Sequence, residues 1–109
     1  MFELFQSENN EKYYFHLKAK NGQIILASQG YADKSGAKNG IESVKTNCAD
    51  DSKFERKTAA NGKFHFNIKA ANGQIIGTSQ MYAGTDGMEN GIESIKTNAP
   101  TAEVVEKED

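Results

Sequence analysis

The stretch NGIESVKTN at Asn39–Asn47 decides the fold, because it returns almost unchanged as NGIESIKTN at Asn90–Asn98. The two copies lie 51 residues apart and differ only by Val44 in the first and Ile95 in the second. Sliding the chain on itself by this distance aligns residues 10–47 with residues 61–98, and 23 of the 38 positions are identical. An internal repeat of this kind predicts one supersecondary unit that is built twice.

The composition is that of a single globular domain. The 109 residues are 37% hydrophobic and 26% charged, with a net charge of −2, and no segment is strongly basic. Bulk charge therefore gives no support to a phosphate-binding surface. With Cys48 as the only cysteine, a disulfide scaffold is excluded. No apolar run is long enough to span a bilayer and the N-terminus does not resemble a signal peptide, so we expect a cytoplasmic protein.

Each repeat begins with an alternating pattern that is typical of a strand with one buried face. Apolar and polar residues alternate through Tyr13–Lys20 and again through Phe64–Ala71. Asn21-Gly22 and Asn72-Gly73 follow, and Asn-Gly between such runs predicts a two-residue type I′ hairpin turn.

A two-residue turn would also fix the strand pairing. Leu17 would then lie opposite Leu26 on the buried face, and Lys18 opposite Ile25 on the other face. The equivalent pairing is expected in the second repeat, so each repeat would place one Ile on the otherwise polar face.

A helix is predicted after each hairpin. An apolar residue recurs at i, i+4, i+7 and i+11 in both repeats, which forms one stripe on a helix. The stripes are Ala37, Ile41, Val44 and Cys48 in the first repeat, and Met88, Ile92, Ile95 and Ala99 in the second. Asp33 or Ser35 is expected to cap the first helix, and Thr85 or Asp86 the second. Asn47 and Asn98 suit a left-handed C-terminal residue.

Gly40 and Gly91 are unusual because they lie inside the predicted helices, where glycine costs about 0.5–1 kcal/mol relative to alanine. Both fall beside the apolar stripe. Their presence predicts a close approach between the helix backbone and the sheet, so the repeated stretch is interpreted as a docking surface with a helix stop.

Two further strands are expected outside the hairpins. Phe54–Thr58 can end the first unit, begin the second, or do both, and Glu103–Glu106 can form a short strand after the second helix. Residues 1–109 are therefore interpreted as one domain, with repeat one at 1–52, repeat two at 53–98, and a C-terminal strand and acidic tail at 99–109. The tail Glu106–Asp109 is expected to be disordered.

The longest motifs carry a resemblance to a known family. They are LKAKNGQII at 17–25, NGIESVKTN at 39–47, and TAANGKFHFNIKAANGQIIGTSQMYA at 58–83. The chain resembles the YegP-like family of small uncharacterised bacterial proteins over nearly its whole length, in a tandem-repeat form. The resemblance implies an α+β fold of two β-β-β-α-β repeats, which form one antiparallel sheet with both helices on one face. It also implies that the terminal strands, Phe54–Thr58 and Val104-Val105, are exchanged between the repeats. It implies no activity.

The residues suggest no catalytic or metal site. His16 and His65 occupy different places in the two repeats, and the chain has no paired His or Cys at metal-ligand spacing. Cys48 closes an apolar helix stripe and is expected to be buried. We therefore predict no metal, no cofactor and no enzymatic activity.

Two groups of residues remain as candidate binding sites. The first is the sheet face opposite the helices, called the open face, with Tyr14, His16, Lys18, Lys20, His65, Asn67 and Lys69. Aromatic and basic side chains on an open sheet are used by single-stranded nucleic-acid binders. The second is the junction of strand and helix, with Gln29, Tyr31, Gln80 and Tyr82. Polar groups there can bind a ligand or can simply satisfy backbone groups at the helix start.

The preferred hypothesis is a small non-enzymatic binding or interaction module whose partner, for example a protein, meets one of these surfaces. The alternative is a weak single-stranded nucleic-acid binder that uses Lys18, Lys20, Lys63 and Lys69. A chain whose two repeats complete the sheet would be monomeric, whereas strand exchange between chains would give a dimer.

Overall fold

A computed structural model describes residues 1–107 and confirms the α+β architecture. Its strands are β1 (Phe2–Gln6), β2 (Tyr13–Lys18), β3 (Ile24–Ser28), β4 (Phe54–Thr58), β5 (Phe64–Lys69), β6 (Ile75–Ser79) and β7 (Val104–Glu106). Its helices are α1 (Lys34–Asn47) and α2 (Thr85–Asn98), each followed by a short 3₁₀ turn, at Asp51–Lys53 and Ala99–Thr101. The seven strands form one sheet, and both helices pack on the same face of it.

The two repeats meet at the centre of the sheet, whose strand order is β4-β5-β6-β3-β2-β1-β7. The central strands β3 and β6 are antiparallel, and Ala27 lies opposite Thr78. These two residues hold the same place in their repeats, so a pseudo-two-fold axis passes between them. Leu26 and Gly77 are also equivalent, and a Cβ on Gly77 would lie 3.0 Å from Leu26 Cγ. A large and a small residue thus share the space beside the axis.

The C-terminal strand confirms the exchange between repeats. β7 follows α2 but pairs with β1, with Phe2 opposite Val104. This pair is parallel, so the sheet is mixed rather than wholly antiparallel. β4 pairs with β5 along its whole length and acts as the first strand of the second unit.

The tail predicted to be disordered, residues 106–109, overlaps the end of the last strand. Glu106 ends β7 and contacts Lys34 and Lys38 of α1, with Oε1–Nζ distances of 3.5 and 3.3 Å. The N–H of Lys107 donates to the carbonyl of Leu4 at 2.7 Å. The rest of the predicted disordered tail, residues 108–109, lies outside the described residues.

The type I′ prediction for the hairpin turns is wrong. Only Gly22 and Gly73 have positive φ in these turns, at 85° and 86°, whereas a type I′ turn needs positive φ at both central residues. The Ala19 N–H instead donates to the Gln23 carbonyl at 2.9 Å across a three-residue loop. Such a loop is a type I turn followed by a left-handed glycine.

The longer loop is accompanied by a shift in the register of β2 against β3, and this shift changes which isoleucine is buried. The strands slip by one place after Leu17, so that Lys18 lies opposite Ile24 rather than Ile25. Ile25 is only 6% exposed and belongs to the core, whereas Ile24 is 37% exposed. The second repeat makes the same shift after Ile68. Both predicted isoleucine positions are therefore wrong by one residue.

The helix ends agree with the sequence at one position and differ at the others. Asp33 caps α1 as predicted, because its carboxylate accepts the Gly36 N–H at 2.7 Å. α2 is capped by Gly84 and not by Thr85 or Asp86.

Neither helix ends with a left-handed asparagine, since Glu11 is the only non-glycine residue with positive φ within 1–107. Asn47 and Asn98 instead donate their side-chain amides to the carbonyls of Ser43 and Ser94, at 2.8 and 2.9 Å. The side chains thereby satisfy carbonyls of the last helical turn.

The repeated glycines make room for a tyrosine ring. A Cβ on Gly40 would overlap the Tyr31 hydroxyl and lie 2.8 Å from Tyr31 Cζ and 3.0 Å from Phe15 Cε2. Gly91 stands in the same relation to Tyr82 and Phe66. The predicted close approach is real, but the partner of the helix is an aromatic side chain rather than the sheet backbone.

Candidate binding cleft

The structure does not bring the open-face candidates together. Tyr14, His16 and Lys18 lie on β2, whereas the second group lies on β5, and β3 and β6 run between them. The second group is His65, Asn67 and Lys69. At a strand spacing of about 4.8 Å, the two groups are separated by about 14 Å. Lys20 is exposed in the β2–β3 turn.

Two of the three lysines of the open face, Lys18 and Lys69, are paired with glutamates. Lys18 Nζ lies 2.9 Å from a carboxylate oxygen of Glu3, and Lys69 Nζ lies 2.9 Å from one of Glu55. The hydrogen bond from Lys69, followed by one from Asn67, lowers the pKa of Glu55 to about 2. The hydrogen bond from Lys18 lowers the pKa of Glu3, against the opposing effect of burial. These lysines are therefore committed to partners within the chain.

An aromatic cluster on the open face was only half predicted. Phe5 stacks on Tyr14 with ring centroids 6.1 Å apart, and its centroid lies 4.9 Å from that of His16. The set of residues predicted for this face contains no phenylalanine. Phe2 and Leu4 of β1 point to the buried face, so the alternation along the strand places Phe5 on the open face. Burial lowers the pKa of His16, which favours the neutral imidazole. Phe5, Tyr14 and His16 therefore form an apolar patch beside the Lys18–Glu3 ion pair.

Asn67 is also committed within the chain. Its side-chain amide donates to Glu55 at 3.1 Å and its carbonyl oxygen accepts from the Thr78 hydroxyl at 2.8 Å. The Nδ1 atom of His65 is buried without a hydrogen-bond partner among residues 1–107. The β5 half of the open face thus has few groups left for a ligand.

The serines at the strand–helix junction serve the backbone. The Ser28 hydroxyl accepts the Phe15 N–H and donates to the Gln29 carbonyl, both at 2.9 Å. Ser79 does the same for Phe66 and Gln80, at 3.0 and 2.8 Å. Hydroxyls that pair with backbone groups at a junction stabilise the chain reversal.

The tyrosine at the junction is held on both sides. The ring of Tyr31 stacks on Phe15 with centroids 6.3 Å apart and planes 17° apart, while Gly36 and Gly40 of α1 lie against it. Burial raises the pKa of the Tyr31 hydroxyl, so it stays a neutral donor at physiological pH. The half-buried ring therefore lies between Phe15 and the two glycines of α1.

A cleft of about 520 Å³, called here the Tyr31 cleft, opens between α1 and the β5–β6 hairpin of the other repeat. The volume lies within the usual range of ligand sites. It is lined by Gln29, Gly30, Tyr31, Gly36, Asn39, Gly40, Ser43, Ala70, Gln74, Ile75 and Ile76. The predicted candidates Gln29 and Tyr31 therefore share one site, and Gln80 and Tyr82 belong to the other side of the pseudo-two-fold axis.

The polar groups at the rim of the Tyr31 cleft are free to bind. The side-chain amides of Gln29, Asn39 and Gln74 are exposed and make no hydrogen bond to another part of residues 1–107. Ile75 is 39% exposed beside them. Sequence reasoning missed Asn39, Ser43 and Gln74, although all three are identical in both repeats.

The other large cavity has a different character. It measures about 470 Å³ and lies at the β2–β3 turn, between Met1 and the chain after α2. The amino group of Met1 donates to the Lys18 carbonyl there, at 2.9 Å. Apolar residues line it together with Lys18, Lys20, Asn98 and Thr101, and its Ala19 and Ile25 hold the same places in the first repeat as Ala70 and Ile76 of the Tyr31 cleft.

The described part of the chain contains neither a cluster of metal-ligating side chains nor a helix that could span a membrane. No group of three or more His, Cys, Asp or Glu is placed to hold a metal ion within residues 1–107. In the same range, neither helix is long and apolar enough to cross a membrane. Cys48 is buried, and burial raises the pKa of its thiol.

Comparison with known proteins places the chain in a family. DUF1508, a domain of unknown function, matches residues 8–55 and again residues 59–106. The UPF0339 protein in the ptx operon 5′ region of Stutzerimonas stutzeri is 54% identical over 105 residues, which are 96% of this chain and 94% of that protein. The UPF0339 protein YegP of Escherichia coli K12 is 50% identical over 103 residues, covering 94% of this chain and 93% of that one.

Two solution NMR structures share the fold along nearly the whole chain. A UPF0339 protein from Shewanella oneidensis has a TM-score of 0.90 and 48% identity, over 96% of this chain and 88% of that chain. YegP from E. coli has a TM-score of 0.91 and 48% identity, over 97% and 90%. With two matched repeats and relatives that are about half identical from end to end, the chain belongs to the YegP-like UPF0339 family of tandem DUF1508 proteins.

Proposed function

We propose that the protein is a small non-enzymatic binding module and that the Tyr31 cleft is its binding site. One observation carries the proposal: three exposed amides with no partner within residues 1–107 surround a cleft of about 520 Å³. An exposed amide that makes no hydrogen bond within its own chain can donate to and accept from a ligand, and the isoleucine beside it adds apolar contact area.

The lining supports binding rather than catalysis. Among its eleven residues the only titratable group is Tyr31, whose pKa is raised by burial. General acid–base catalysis needs a group whose pKa lies near the working pH, and nucleophilic catalysis needs an oriented base. The cleft offers neither.

The alternative, a weak single-stranded nucleic-acid binder, is favoured by the stack of Phe5 and Tyr14 on the open face. It is weakened by the ion pairs of Lys18 and Lys69, because a phosphate would have to displace Glu3 and Glu55. The salt dependence of binding distinguishes the two functions. Contacts with phosphate release counterions and weaken steeply as salt is added, whereas neutral contacts do not.

Two further features belong to the proposal. A cytoplasmic location agrees with a lone buried cysteine. A monomer is expected because β7 already completes the sheet within the chain, and light scattering should give a mass near 11.9 kDa. A stable dimer at micromolar concentration would contradict this part.

The test is an amide NMR titration of the isotope-labelled protein. The probes are neutral acetylated and amidated peptides, a pool of cytosolic metabolites, and short single-stranded RNA and DNA, each at low and moderate salt. We expect salt-independent shifts at Gln29, Asn39 and Gln74. Asn39→Ala should weaken the binding that these shifts report, whereas Thr46→Ala, exposed on the same helix outside the cleft, should leave it unchanged.

Two outcomes would contradict the proposal. Shifts at Tyr14–Lys18 that appear with oligonucleotide and fade with salt would favour the alternative. No response around the cleft to any probe would remove the cleft as the binding site.

A further inference from the structure

We propose that the chain carries two copies of the cleft, related by the pseudo-two-fold axis, and that each binds a neutral, extended segment of a partner polypeptide. The second copy is called the Tyr82 cleft. This inference rests on the proposed function and extends it by the number of sites and the class of ligand.

The lining of the Tyr31 cleft is repeated almost perfectly in the sequence. Its eleven residues come from both units, so each has an equivalent 51 positions away in the other unit. Ten of the eleven pairs are identical, whereas thirteen of the other twenty-seven aligned pairs are identical. The equivalents are Gln80, Met81, Tyr82, Gly87, Asn90, Gly91, Ser94, Ala19, Gln23, Ile24 and Ile25.

A recent duplication alone does not explain this distribution. Duplication alone leaves identity spread evenly over the repeat, but here the lining of the cleft is almost wholly identical while about half of the other positions are. Packing explains the identity at some aligned positions, such as Tyr31 and Tyr82, because each ring occupies the space that the helix glycines leave open. It does not account for the exposed amides, because the side chains of Gln29 and Asn39 make no hydrogen bond within residues 1–107.

The structure reproduces the floor of the cleft on the second side. Tyr82 stacks on Phe66 with centroids 6.3 Å apart and planes 11° apart, close to the 6.3 Å and 17° of the first pair. A Cβ on Gly87 would lie 3.3 Å from Tyr82 Cδ1, the same distance that separates Gly36 from Tyr31 Cδ1.

The hairpin wall is reproduced as well. The Ala19 N–H donates to Gln23, and the Ala70 N–H to Gln74, both at 2.9 Å. The isoleucines at the rim are 37% exposed for Ile24 and 39% for Ile75. The same groups therefore face solvent at both places.

The chemistry of the lining selects the ligand. No charged side chain lines the cleft, so an ionic ligand would lose its hydration without compensation. The one aromatic ring of the lining, Tyr31, is already stacked on Phe15 and lies against the helix glycines, so it is a poor platform for a base or a sugar. Carboxamides both donate and accept hydrogen bonds, as a peptide backbone does. An apolar side chain of the same segment would cover Ile75.

One position distinguishes the two sites. Met81, which is 51% exposed, replaces Gly30 at the rim of the Tyr82 cleft. A flexible methionine adds apolar contact area there. We therefore expect the two clefts to bind the same segment with different affinities, and Met81→Gly to bring the affinity of the Tyr82 cleft to that of the Tyr31 cleft.

The experiment is an amide NMR titration of the intact protein with an acetylated, amidated pentapeptide of alternating Leu and Asn. Two binding isotherms are expected, one from Asn39 and Gln74 and the other from Asn90 and Gln23. Asn39→Ala should weaken only the first and Asn90→Ala only the second, each by about two- to tenfold, as expected for one hydrogen bond. Met81→Gly should change only the second.

The outcomes separate this inference from the proposed function. Binding at the Tyr31 cleft with no response at Asn90 and Gln23 would overturn the two-site inference and leave the binding module intact. A response of the clefts to metabolites but not to the peptide would overturn the ligand class. Silence at both clefts with every probe would overturn both.

Discussion

Replacing Gly40 by alanine should destabilise the protein, although alanine is the better helix former. Helix propensity alone would favour the substitution by about 0.5–1 kcal/mol. The new Cβ would overlap the Tyr31 hydroxyl and lie 2.8 Å from Tyr31 Cζ and 3.0 Å from Phe15 Cε2. Because Tyr31 is stacked on buried Phe15, the ring cannot move without disturbing the core. Overpacking costs about 1–3 kcal/mol, and two contacts below 3.0 Å place this substitution in the upper part of that range, at about 2–3 kcal/mol. The net loss is therefore about 1–2.5 kcal/mol.

Urea denaturation measures this loss. At an m-value of about 1–3 kcal/mol/M, the midpoint should fall by roughly 0.5–1 M without a change of m. Gly36→Ala is the graded control, since its Cβ would lie 3.2 Å from the capping Asp33 Oδ1 and 3.3 Å from Tyr31 Cδ1, and this smaller overlap should be offset by propensity. Tyr31→Phe should partly rescue Gly40→Ala by removing the hydroxyl. A Gly40→Ala protein that is as stable as the wild type would refute the steric argument.

Three further predictions follow from single positions. Glu11 has φ of 60° where the second repeat has Gly62 at 82°, so Glu11→Gly should raise the free energy of unfolding by about 0.5–1 kcal/mol in urea; a loss would contradict this. Burial lowers the pKa of His16, so its stabilising contribution is present above the ordinary pKa of about 6.5 and is lost as the pH falls below it. Between pH 7.5 and 5.5 the wild type should therefore lose more stability than His16→Asn, which carries the residue of the second repeat, and equal losses would refute the assignment. Glu106→Lys should repel the two lysines of α1 and speed amide exchange in β7 but not in β4, and unchanged exchange would show that the ion pairs do not hold the strand.

The fold could be predicted largely because its signals are local or repeated. Period-two alternation located β2 and β5 to within two residues, and the apolar stripes located both helices. The hairpin register could not be read in the same way. Asn21-Gly22 is compatible with a type I′ turn and with a type I turn ending in a left-handed glycine, and the choice depends on where Ile25 can be buried. That is a tertiary effect.

The candidate site was predictable only in part, for a related reason. Gln29 and Tyr31 lie close in sequence and were found from their position at the strand–helix junction. Asn39 and Gln74 come from different repeats and meet only because β3 pairs with β6. The signal that could have found them is the uneven distribution of identity between repeats, but its meaning depends on knowing which residues share a surface.

The two outer strands show how the duplicated units have diverged at the edges of the sheet. On one side, β7 covers β1, and Glu106 together with the following Lys107 makes three ion pairs with the first unit. Glu106 contacts Lys34 and Lys38 of α1, and Lys107 Nζ lies 3.5 Å from a carboxylate oxygen of Glu3. The charges of Glu106 and Lys107 thus come from the exchanged strand and the residue that follows it.

On the other side, β4 supplies the corresponding charges itself. Arg56 Nε lies 2.6 Å from a carboxylate oxygen of Glu89, and Lys57 Nζ lies 3.7 Å from one of Glu55. Glu89 of α2 holds the same place in its repeat as Lys38 of α1, which pairs with Glu106. If a strand like β7 paired with β4, its glutamate would therefore face the Glu89 carboxylate instead of a lysine. Like charges at a strand edge disfavour pairing, and basic side chains on an edge strand protect it. The inversion of one charge therefore favours closure of the sheet within a single chain over exchange between chains.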